Sequence, residues 1–157
     1  MRSPLAFVIA GAAFWLVACQ APSFDPEDPA IVAEIESRFQ SAMEGAAKVD
    51  VDQVLEGAAG AGELTFITGD VMLSGLDRIR VRFEETYSGL ASQELTFFEK
   101  RVRILGPDAA LVMAVGEGTF TDQAGWTSEP VGIAVTVVLA RENGTWRVRH
   151  AHQSISE

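Results

Sequence analysis

The chain has 157 residues, with 12 basic against 22 acidic side chains, a formal net charge of −10 and a single cysteine. So acidic a composition argues against holding nucleic acid or adsorbing electrostatically to anionic lipid, since both require a basic patch. One thiol also excludes an intramolecular disulfide and any zinc site built on several cysteines.

The chain opens with one positive charge, Arg2, followed by Leu5 to Val17, thirteen residues without a charge. That suits the apolar region of a signal peptide and falls short of the roughly 20 residues needed to span a bilayer. Leu16-Val17-Ala18-Cys19 follows directly and resembles the bacterial lipobox. The resemblance implies that residues 1–18 are a signal peptide, cut before a diacylated Cys19 whose new amino terminus is acylated in turn. Two or more acyl chains, at about 0.8 kcal/mol per buried CH₂, anchor a protein stably where one does not. Gln20, in place of an aspartate at that position, implies the periplasmic face of the outer membrane if the cell is Gram-negative.

Loss of residues 1–18 removes Arg2 and no acid, leaving 11 basic against 22 acidic residues and a net charge of −11. The expected membrane attachment therefore rests on acyl chains and not on charge. Residues 20–29 hold three prolines and three acids, which predicts a stiff, extended tether from Cys19 through residue 27. One folded domain is expected over residues 28–157.

Asp28-Pro29 places an N-cap before a proline at the first helical position. Ile31, Ile35, Phe39, Ala42, Met43 and Ala46 then recur at helical spacing and predict a long helix to about Lys48. Asp50 or Asp52 can cap a second, short helix over Gln53–Ala58, ending in the glycines of 57–62. Leu64–Thr68 reads as a short strand with a turn at Gly69-Asp70. A third helix is predicted over Gly75–Ser88, with Leu76, Ile79, Phe83 and Tyr87 on one face.

After Gly89 the apolar period changes to two. Strands are predicted over Leu95–Leu105, Ala110–Thr121, Val131–Arg141 and Trp146–Ile155, with a tight hairpin at Glu142-Asn143-Gly144. Three helices followed by a long antiparallel meander is an α+β pattern, with helices packed on one face of a curved sheet.

Three segments carry a family resemblance: Leu64-Thr65-Phe66-Ile67-Thr68-Gly69, Ile104 to Leu111, and above all the ending Asn143 to Ser154 with Trp146, Val148, His150, His152 and Ser154. These resemble the NTF2-like superfamily, in particular its SnoaL-like and DUF4440-type members and the association domain of calcium/calmodulin-dependent kinase II. The resemblance covers about residues 28–156. It implies a cone in which a bent, mostly antiparallel sheet wraps the first helix, a pocket at the open end, and a homodimer formed through the sheet. It also implies a departure, since Gln153 stands where the association domain has a pocket arginine, and further pocket arginines are replaced near Gly116 and Val137. This superfold hosts isomerases, dehydratases and proteins without known chemistry, so the fold alone does not assign an activity.

Strict alternation along the last strand would place Trp146, Val148, His150, His152 and Ser154 on one face and Arg147, Arg149, Ala151 and Gln153 on the other. Two histidines at i and i+2 could hold a substrate, or could be hydrogen-bonded structural groups beside Trp146. They have no third metal ligand by motif, so no metal and no cofactor is expected. Glu117, the one acid within an apolar strand, is a candidate base alongside His150 and His152. Equally, it could lie on a solvated or dimer face beside an arginine such as Arg103. Tyr87, Arg149, His152 and Trp126 are candidate ligand contacts, although Arg149 could pair instead with an acid on a neighbouring strand. Phe66, Phe97, Phe98, Phe120 and Trp126 offer an apolar lining for a core or a small hydrophobic ligand. No complete acid/base set, P-loop or nucleophile elbow occurs. The favoured expectation is a binding protein; the alternative is an isomerase, dehydratase or hydrolase using Glu117, His150 or His152.

Overall fold

The computed structural model describes residues 25–60 and 63–156. The expected signal peptide and Cys19 lie outside those residues. Among the described residues three helices, α1 (Pro29–Ala47), α2 (Val51–Leu55) and α3 (Leu76–Tyr87), accompany six strands. The strands are β1 (Thr65–Thr68), β2 (Val71–Ser74), β3 (Leu90–Gly106), β4 (Ala109–Asp122), β5 (Val131–Glu142) and β6 (Thr145–Ser156).

Local chemistry sets the element ends. Asp28 Oδ1 accepts from the Ala30 and Ile31 amides at 2.9 and 3.3 Å, capping α1 behind Pro29. Asp50 caps α2 through the Gln53 amide at 3.0 Å, while Asp52 instead pairs with Arg80 on α3 at 2.6 Å. The hairpin between β5 and β6 places Asn143 at φ 50° and Gly144 at φ 80°, the left-handed pair that a two-residue turn demands.

The strands form one sheet in the order β2-β1-β6-β5-β4-β3. Every pairing is antiparallel except β1 with β6, which is parallel and aligns Thr65 with His150 and Phe66 with Ala151. The α+β class, the three helices and the curved, mostly antiparallel sheet follow the expectation. Three elements differ. Helix α2 occupies Val51–Leu55 in place of the expected Gln53–Ala58, because Asp50 and not Asp52 caps it. Val71–Ser74 is an additional strand, completing a hairpin with β1, and β3 begins at Leu90, five residues before the predicted start.

The helices cover one face of the sheet. Ile35 and Phe39 of α1 pack on Val112, Val137, Leu139 and Trp146 in one cluster. Leu55, Leu64, Phe66 and Ile79 form a second beneath α2 and α3, and Val148 and Ala151 of β6 touch both. Close helix packing depends on Gly45, where a Cβ would come within 2.7 Å of the Val54 nitrogen.

Candidate functional site

Between the two clusters the sheet and helices leave a cavity of about 120 Å³, partly open to solvent. Phe39, Ala42 and Met43 of α1, Val54 and Leu55 of α2, and Ile79 and Phe83 of α3 roof it. Phe66 of β1, Leu95 and Phe97 of β3, Ile133, Val135, Val137 and Leu139 of β5, and Val148 and Ala151 of β6 supply the floor. The lining also includes the polar residues Arg38, Thr65, Gln93, His152 and Gln153 and, among the described residues, no aspartate or glutamate. Phe39 and Phe97 meet edge to face at 5.5 Å between ring centroids, as do Phe83 and Tyr87.

A β-bulge decides which side chains of β6 reach this space. Val148 pairs with Leu139 but His150 pairs with Val138, so Arg149 is an extra residue opposite none. One inserted residue exchanges the two faces of a strand. Trp146 and Val148 therefore point inward before the bulge, and Ala151 and Gln153 point inward after it. The expected shared face of Trp146, Val148, His150 and His152 is thus corrected, because the histidines face the other way from the buried Trp146. His150 places its Nδ1 2.7 Å from Thr65 Oγ1 on β1. His152 is exposed and is among the residues bordering the cavity.

Glu117 is exposed on the outer face of β4. Its cross-strand neighbours are Gly132 and then Ser156, four residues beyond His152. With strands about 4.8 Å apart and about 3.3 Å per residue, the Glu117 and His152 backbones lie about 16 Å apart. They do not converge on one reacting atom. Among the remaining candidates, Arg149 is engaged by Glu142 at 2.6 Å and by Glu63, the structural pairing with neighbouring acids. Trp126 sits in the connection after β4, is 66% exposed, and does not line the cavity. Phe98 is 67% exposed and turned outward, so of the anticipated aromatic lining only Phe66 and Phe97 contribute.

Tyr87 lies behind Phe83 at the end of α3 and is buried. Removal from water raises its pKa above the ordinary phenol value, opposed in part by the Gln93 side chain. Gln93 in turn donates to the Ala46 carbonyl at 2.7 Å, tying β3 to the end of α1. The residues missed in sequence are Arg38 and Gln93. Arg38 lies on the polar flank of α1, and Gln93 in a stretch of β3 not expected to be strand. Among the described residues no group of three or more His, Cys, Asp or Glu could hold a metal ion.

Residues 32–157 match the family model of the calcium/calmodulin dependent protein kinase II association domain. The chain belongs to that family. Solved structures agree on the fold. An NTF2-like superfamily protein from Salmonella enterica serovar Typhimurium is 19% identical, covers 82% of this chain and 93% of its own, and has a TM-score of 0.73. The association domain of C. elegans CaMKII is 20% identical over 81% of this chain and 97% of its own, with a TM-score of 0.65. A ketosteroid isomerase-like protein from Erwinia carotovora atroseptica is 18% identical over 80% and 95%, with a TM-score of 0.67. These likenesses establish the NTF2-like fold for the association-domain relative described here. No curated protein matches the chain.

Proposed function

We propose that the chain is a lipid-anchored protein of the bacterial envelope whose NTF2-like domain binds a small apolar ligand and catalyses no reaction. The observation that carries the binding reading is the cavity, walled by apolar side chains from both core clusters and lined, among the described residues, by no carboxylate. An isomerase-type mechanism on this scaffold needs a carboxylate base beside the bound substrate. Glu117 faces away from that space. The alternative, catalysis, rests on His152, which is among the residues bordering the cavity.

Native mass spectrometry of protein purified under mild conditions tests the binding reading. A retained mass corresponding to a small organic molecule, lost on denaturation, is the expected result. A protein that is always empty, and that takes up no added hydrocarbon, contradicts it.

The anchor is supported by the charge-free Leu5–Val17 run and the lipobox-like Leu16-Val17-Ala18-Cys19. Cys19→Ala is expected to abolish labelling with radioactive palmitate and to leave a precursor carrying residues 1–18. Unchanged labelling contradicts the proposal. A homodimer through the outer sheet face is supported by the exposure there of Val115 and Phe98, 51% and 67%, and by the family's association-domain character.

A further inference from the structure

The apolar cavity is not isolated on its helix side. A second cleft, of about 340 Å³, lies between α1 and α2, and Arg38, Ala42, Val54 and Val148 line both spaces. Arg38 is the one polar residue in that shared wall. Its Nε is buried and has no hydrogen-bond partner among the described residues. The acid facing it on its own helix, Glu34, stands 4.0 Å from Nη2, against 2.6 Å for the Arg80–Asp52 pair.

A guanidinium keeps its charge at any accessible pH, and a buried N–H without an acceptor is costly. The acceptor that best matches it is a planar anion, because the guanidinium fork fits a carboxylate with two parallel hydrogen bonds. The cleft beyond also holds Glu34 and Glu56, which repel an anion placed further out. The favourable position for one negative charge is therefore against Arg38, with the rest of the molecule directed back into the apolar space. That space is smaller than the roughly 150 Å³ cavity known to admit benzene, which limits the apolar part to one ring or a short branched chain.

We propose that the site takes a small amphipathic monocarboxylic acid, its apolar body among Phe39, Val137 and Leu139 and its carboxylate on Arg38. The inference rests on the cavity being a ligand site, and it adds the ligand's charge, its size and the residue that selects it. The recognition comes from the helix roof, at a position separate from Gln153 and His152 on the strand.

The test uses the full chain in lipid nanodiscs, with empty nanodiscs as blank, and two fluorinated probes of equal shape followed by fluorine NMR. Against this protein 4-fluorobenzoate is expected to bind at least tenfold more tightly than 4-fluorobenzamide. Arg38→Gln is expected to erase that preference while amide binding persists. Glu34→Gln, a surface change that leaves Arg38 in place, is expected to tighten benzoate binding severalfold and leave the amide unchanged. Equal binding of the two probes to the unsubstituted protein overturns the role of Arg38 while leaving the cavity reading intact. So does a preference that survives Arg38→Gln, or an indifference of benzoate to Glu34→Gln. Absence of binding by either probe overturns both.

Discussion

Thr65 and His150 face each other across the parallel pairing of β1 with β6, with Thr65 Oγ1 2.7 Å from His150 Nδ1. The contact lies immediately after the Arg149 bulge and holds β6 in the orientation that the bulge imposes. The inserted residue puts Ala151 inside and His152 outside. In a Cys19→Ser background, a thiol introduced as His152→Cys should react rapidly with a maleimide, and one introduced as Ala151→Cys should be protected until the protein unfolds. Rapid labelling at 151 with protection at 152 would show that the strand alternates without a bulge.

Two glycines mark places where backbones approach too closely for a side chain. A Cβ on Gly45 would lie 2.7 Å from the Val54 nitrogen and 2.9 Å from Gln53 Cβ, and one on Gly116 would collide with the Thr96 carbonyl. Neither obstacle is the flexible end of a side chain, so the strain must move a helix or a strand. Gly45→Ala and Gly116→Ala should each cost about 1–3 kcal/mol or more in urea unfolding. Gly57→Ala, with open space around it, should cost far less.

Tyr87 is the only tyrosine in the chain, so phenolate absorbance near 295 nm reports on it alone. Its folded pKa is raised above the ordinary value of 10.0, chiefly by burial. The folded state therefore holds this proton more tightly than the unfolded state. The stability it contributes is complete below pH 10 and is lost as pH rises through the folded pKa. Spectrophotometric titration should give a midpoint above 10 that falls on denaturation, and Tyr87→Phe should flatten the alkaline decline in melting temperature. A native midpoint at or below 10 would contradict the burial argument.

The proposed dimer makes a separate demand. Val115 lies on the outer face with Met113, opposite Glu99 and Arg101 of β3. Val115→Glu should convert the dimer to a monomer in sedimentation velocity while the far-ultraviolet dichroism is unchanged. A monomeric unsubstituted protein would remove the sheet face from the account.

The contrast between elements shows what could be read in advance. Caps and turns are local, so Asp28-Pro29 and Asn143-Gly144 announced their structures from two adjacent residues each. The β4 and β5 strands were equally legible, because alternating burial leaves a period-two trace. The Val71–Ser74 strand left little trace, since three of its four residues are exposed and its pairing depends on β1. The face of His150 and His152 was illegible for a different reason. A bulge is specified by pairing with β5 and β1, and alternation within one strand carries no record of it. Arg38 was hidden because a charged residue on a helix flank resembles any solvated side chain until two cavities are found on either side of it.

The central claim is that the space between α1 and β5 accepts an apolar molecule. Methyl NMR of the full chain in nanodiscs, titrated with benzene against an empty-disc control, measures this most directly. Saturable shifts are predicted at the lining methyls of Val137, Leu139 and Val148, with Val115 and Val138 on the outer face unmoved. Unshifted lining methyls, or shifts confined to the outer face, would contradict it.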